Sequence, residues 1–136
     1  MNGLSAVLEN LEKEDIFVLG TPMKENKSVC MERGRMIAFD PQKFETSVEL
    51  RTVLIHESGH FESGAFYNSY SPYQIKEQAE YRAEQAAILR YIPYKEMVEQ
   101  LINGMELWEL AEYFDVTEEY CLKAYLFYKD KYGIIY

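Results

Sequence analysis

Two histidines occur in the whole chain, His56 and His60, and they stand four residues apart with Glu57 directly after the first. On an α-helix, residues at that spacing lie one above the other on the same face. Both imidazoles can then aim a nitrogen at one zinc ion, at about 2.0–2.1 Å. Glu57 is rotated off that line and reaches a water on the ion rather than the ion itself, which is the place for a general base. This is the mechanical content of the pattern His-Glu-x-x-His, and "HESGH" has it. The plainer alternative is a helix with two histidines on one side and no metal. Gly59 argues against it. A glycine inside a helix costs about 1 kcal/mol relative to alanine, and a crowded approach of another element or a ligand is a usual reason to find one there.

A catalytic zinc takes a third protein ligand and keeps one position open. The three-histidine arrangement would need glycine at position 63 and histidine at 66, where this chain has Ser63 and Phe66. The other common source is a carboxylate on a following helix, and Glu77, Glu80 and Glu84 in "KEQAEYRAEQAA" are the candidates. Glu80 is favoured on packing grounds. A helix that delivers a carboxylate to metal held on its neighbour must approach closely, and Ala83, Ala86 and Ala87 form a small-residue surface one turn beyond Glu80. Glu84 projects to the same side. It either accepts a hydrogen bond from a ligand histidine's second nitrogen or stands as a solvated acid, and the sequence leaves both open. Glu77 reads as solvated.

The elements that must position these groups follow from periodicity and punctuation. Leu4, Val7, Leu8 and Leu11 mark a helix over 4–13. "DIFVLG" reads as a strand closed by Gly20-Thr21-Pro22, and "SVCMERGRMIAFDP" as a hairpin turning at Arg33-Gly34. Thr46 and Glu49 form a capping-box pattern at the start of the histidine helix, and Gly64 is its stop. "AFYNSYSPYQ" is a loop. A second helix runs over 75–92 and ends before Pro93. Three short helices follow, broken at Asn103-Gly104 and at Asp115-Val116. The expectation is an α+β chain: helix, a small three-stranded sheet, then five helices, with a zincin-like pair of ligand helices and a C-terminal helix-turn-helix-like segment. Length predicts one domain, with 1–93 as its core and 94–136 as a helical subdomain.

Composition excludes several classes. Nearly half of the 136 residues are apolar and 15% are aromatic, a globular balance rather than a disordered one. A net charge of −9 argues against a sequence-independent grip on nucleic acid. Cys30 and Cys121 are too few and too far apart for a disulfide framework or a thiolate zinc site and read as buried thiols. The start of the chain lacks the pattern of a secretory signal, and no run is long enough to span a bilayer, so a cytoplasmic protein is expected.

"LIHESGH" followed by "EYRAEQAAILRYIP" resembles the ImmA/IrrE family of metallo-endopeptidases. That family pairs His-Glu-x-Gly-His with a later helix of the form Glu-x-x-Ala, several small residues and a proline. The matching positions are His56, Glu57, Gly59 and His60, then Glu80, Ala83, Ala87 and Pro93, and the resemblance covers at least residues 48–93. It implies His56, His60 and Glu80 as zinc ligands and Glu57 as the catalytic acid/base. Family members often carry asparagine where this chain has Glu84 and an aromatic residue where it has Ala86. Such proteins are typical of phages and integrative elements, where they cleave a helix-turn-helix repressor encoded nearby. The implied function is therefore zinc-dependent hydrolysis of a peptide bond in a protein substrate.

Two further expectations concern that chemistry. Tyr67, Tyr70 and Tyr73, in the loop between the ligand helices, are candidates to steady the developing oxyanion. The strand 36–39 either offers its edge to an extended substrate or lies inside the sheet. Rival functions are an acidic helix-turn-helix regulator built on "LWELAEYFDVTEEYCLKAY" and a non-catalytic zinc-binding sensor that sequesters a partner. The first is weakened by Glu118-Glu119 at the start of the would-be recognition helix, with Lys123 the only early base. Trp108, Tyr113, Phe114 and Phe127 read as core.

Overall fold

Alternating apolar positions, a glycine turn and two prolines divide the first half of the chain much as expected. The computed structural model describes residues 3–133. In order these are α1 (Leu4–Lys13), β1 (Phe17–Gly20), β2 (Ser28–Met31), β3 (Met36–Phe39), a single 3-10 turn (Pro41–Lys43), α2 (Ser47–Ser63), α3 (Tyr73–Tyr91), α4 (Tyr94–Ile102), α5 (Leu107–Phe114) and α6 (Glu118–Tyr132). The architecture is α+β, six helices with a small mixed sheet.

The sheet order is β1-β3-β2. β2 and β3 form the hairpin, antiparallel with Ser28 opposite Phe39 and Met31 opposite Met36. Its turn bends through left-handed backbone at Gly34 and Arg35, conformations that glycine adopts without strain. β1 lies parallel to β3 on the other side, with Phe17 beside Met36. The strand 36–39 is therefore central and has no free edge, because the hairpin covers one side and β1 the other. Among the described residues the outer edges belong to β1 and β2.

α2 is fixed at both ends. Thr46 Oγ1 accepts the Glu49 N–H at 3.2 Å, while the Glu49 carboxylate takes the N–H of Glu45 rather than that of Thr46, so the expected box is half closed. Gly64 ends the helix in the left-handed region. Leu54 and Ile55 are fully buried, each contributing about 1.5–3 kcal/mol. The same helix buries Arg51, Thr52, Glu57, Ser58 and His60. Burying polar groups is tolerable only when each has a partner, and each of these five does. α3 begins at Tyr73, directly after Pro72 and two residues earlier than expected, and stops before Pro93.

The C-terminal helices are tied to α2 by Arg51. Its guanidinium donates to the carbonyls of Phe114 at 2.8 Å and Asp115 at 2.6 Å, and its Nε donates to Gly3 O at 3.1 Å. Phe114 joins the core, but Trp108 is 51% exposed and Tyr113 lies on the surface, so the aromatic core expected there is only partly formed. Trp108 instead donates from Nε1 to the Glu106 carboxylate. Both cysteines are free thiols, Cys121 buried and Cys30 half-buried. No helix among the described residues is long and apolar enough to cross a membrane.

Candidate metal centre

α2 and α3 approach so closely at Gly59 that no side chain fits between them. A Cβ built there would stand 2.8 Å from the Ala83 carbonyl carbon, overlap that carbonyl's oxygen, and sit 3.2 Å from the Ala87 Cβ. The closely approaching element is thus α3, through the buried stripe Ala79, Ala83 and Ala87; Ala86 is only half-buried. One turn before Ala83, this approach delivers the Glu80 carboxylate to the two histidines.

Glu80 Oε2 lies 2.7 Å from His56 Nε2, and Glu80 Oε1 lies 3.3 Å from His60 Nε2. The donor atoms of His56, His60 and Glu80 all fall within 4.8 Å of one another, close enough to hold one metal ion. The donor set suits a divalent cation such as zinc, which binds imidazole nitrogen and carboxylate oxygen alike. His60 Nδ1 faces the Ala65 carbonyl at 2.7 Å. Since a carbonyl only accepts, Nδ1 carries a proton there, which leaves Nε2 as the nitrogen that faces Glu80 and could meet a metal. His56 Nδ1 faces Glu84 Oε1 at 3.4 Å, and Lys123 Nζ stands 3.6 Å from the other Glu84 oxygen. Of the two arrangements the sequence left open for Glu84, the structure sets it against His56 Nδ1 rather than free in solvent.

Glu57 is buried and accepts a hydrogen bond from Ser28 Oγ at 2.9 Å, while its other oxygen lies 3.8 Å from His60 Nε2. Burial raises the Glu57 carboxyl pKa, and the His56 charge and the Ser28 hydrogen bond only partly offset this. Glu80 goes the other way. Hydrogen bonds from His56 and His60 hold it well below the usual carboxylate range. Burial alone would lower the pKa of His56, but hydrogen bonds to Glu80 and Glu84 outweigh it and raise the value to about 10. The two carboxylates are thereby driven in opposite directions, Glu57 up and Glu80 down.

The three loop tyrosines separate cleanly. Tyr67 donates from its hydroxyl to Glu80 Oε1 at 2.6 Å. Tyr70 and Tyr73 are 94% and 73% exposed and stand apart from the histidines. Glu77 is exposed, as its solvated assignment required. A cleft of about 990 Å³ opens over the centre, lined by Ser28, Phe44, Val53, His56, Tyr81 and Lys123 among others. Ser28 and the Ala65 carbonyl were not among the expected site groups. Strand alternation could have flagged Ser28, since residues 28 and 30 share one face of β2; a backbone carbonyl leaves no sequence signal. Comparison with known proteins finds no family model that matches this chain and no curated protein that does.

Proposed function

We propose that the chain is a zinc-dependent endopeptidase acting on a protein substrate, with His56, His60 and Glu80 as metal ligands and Glu57 as acid/base. The observation that carries this is the convergence of two imidazole Nε2 atoms and one carboxylate beside a second, separately held carboxylate. A bound zinc ion supplies a more acidic water and polarises the substrate carbonyl. The chain's own groups do the rest. Glu57, its pKa raised by burial, takes the proton of the attacking water and later delivers it to the leaving amine. Ser28 holds one Glu57 oxygen, leaving the other to face the reacting atoms. Tyr67 stays protonated far above neutrality, because burial and the Glu80 contact both raise its pKa, so it is available to donate to the developing oxyanion.

The outer edge of β2 carries Ser28 into the cleft and, among the described residues, pairs only with β3. An extended peptide added to that edge would lie across Glu57, with main-chain hydrogen bonds fixing the scissile bond. The family resemblance implies a helix-turn-helix repressor of a phage or mobile element as the substrate.

The test is cleavage by the zinc-loaded chain of such a repressor encoded beside it, and of a mixed peptide library, read by mass spectrometry. Glu57→Gln should bind zinc in the same amount and lose cleavage by about 10²–10⁴-fold, the contribution of a positioned acid/base. Intact substrates with the wild-type chain, or a Gln variant that cuts at the normal rate, overturn the proposal.

A further inference from the structure

Cys30 is half-buried and lies on the same face of β2 as Ser28, two residues on, the face whose Ser28 hydroxyl reaches Glu57 of α2. Its sulfur, a Glu57 carboxylate oxygen and a His60 nitrogen all lie within 4.8 Å of one another. That is a sulfur, oxygen and nitrogen donor set of the kind that holds zinc and softer divalent ions. It shares His60 with the set described above. His60 has one nitrogen to give, because Nδ1 is committed to the Ala65 carbonyl, and one imidazole nitrogen cannot serve two ions.

We infer that the chain has two mutually exclusive metal positions, one on His56, His60 and Glu80 and an alternate on Cys30, Glu57 and His60 that takes thiophilic divalent cations such as cadmium. Occupying the alternate position forms a metal–sulfur bond and releases the thiol proton to solvent. It also makes a ligand of Glu57 and draws the ion away from His56. The position is therefore an inhibitory one, a consequence that rests on the peptidase assignment, whereas the binding itself does not. Ligand softness decides between the two: thiolate favours soft ions, whereas imidazole and carboxylate suit harder ones.

The test uses cadmium alone, added to metal-free H56A, and reads the ultraviolet thiolate-to-cadmium charge-transfer band. H56A removes one ligand of the first position and none of the second, so a band from one sulfur per chain is expected. E80Q supplies the same test through a partly exposed carboxylate. The band should persist when C121A is added, since Cys121 is buried elsewhere, and vanish when C30A is added. No band in either single variant, or a band that survives C30A, overturns the inference. The two proposals fail separately. Zinc-dependent cleavage by the wild-type chain with no band in either variant refutes the alternate position alone; a Cys30-dependent band from a chain that cleaves nothing refutes the peptidase alone.

Discussion

Two helix pairs in this molecule are built on opposite rules. α2 and α3 meet at small residues, Gly59 against Ala83 and Ala87, and bury Glu57 and His60 beside that contact. α5 and α6 instead bury large apolar groups, Leu110 and Phe114 on the first and Tyr120 and Tyr128 on the second. The second pair is an ordinary hydrophobic contact whose stability scales with area. In the first, backbone proximity brings a carboxylate to two imidazoles, and the polar groups are kept by hydrogen bonds rather than by area. Close approach gives up apolar burial and gains placement of side chains to within a few tenths of an ångström, which is what metal ligation demands.

Gly59→Ala tests that difference most sharply. The new methyl group gains about 1 kcal/mol of helix propensity but collides with the Ala83 carbonyl. Overpacking of this kind costs about 1–3 kcal/mol, and more where the neighbour is backbone. Net destabilisation in urea unfolding is expected, with a larger effect on the metal centre. Pushing α3 away carries Glu80 from the histidines, so zinc affinity should drop by about 10–100-fold, as it does when groups that orient ligands are lost. A variant that keeps both its stability and its zinc affinity would mean that the close contact does not place the carboxylate.

pH should act on the first pair in two opposed ways. In the metal-free chain, His56 has its pKa raised from 6.5 to about 10 by its carboxylate partners, against the effect of burial. Its contribution to stability is complete below pH 6.5 and is lost as pH rises through about 10. Glu80 is depressed from 4.5, so its contribution is present above pH 4.5 and is lost as pH falls through its folded-state value. The contributions of these two groups are both complete only between about pH 4.5 and pH 6.5. Metal binding needs neutral imidazoles, so zinc affinity should rise with pH over the interval in which the metal-free fold weakens. Thermal unfolding and zinc titration across that interval check both signs; parallel trends would show that His56 is not the group that proton and metal compete for.

These two pairs also show what was legible in the residues. Spacing alone set His56 and His60 on one face, and the Gly59 anomaly pointed to a crowded neighbour that proves to be the Ala83 carbonyl. Helix ends were readable wherever a cap or a proline marks them, as at Thr46, Gly64 and Pro93. The place of β3 was not, because strand order depends on pairings across distant segments, and a run of four residues reads the same at an edge or in the centre. Ser28 escaped for the same reason: its role comes from the register of the hairpin against α2. Trp108 was misjudged because short amphipathic helices leave one large residue per turn exposed, and no local pattern says which.

The smallest effect belongs to the second pair. Thr117 caps α6, its Oγ1 accepting the Tyr120 N–H at 3.2 Å, while its own N–H donates to Thr52 Oγ1 at 3.1 Å on α2. Thr117→Ala removes the first bond and keeps the second, so α6 frays at its start without leaving α2. A lost N-cap costs about 1 kcal/mol. Because Arg51 still grips the carbonyls of Phe114 and Asp115, that loss should register in urea unfolding and leave zinc affinity unchanged. If zinc affinity fell together with stability, α6 would be part of what positions the ligands, acting through Lys123 on Glu84 and through Glu84 on His56. The contrast between a pair that carries the candidate metal site and a pair that only holds itself would then have to be redrawn along that chain of contacts.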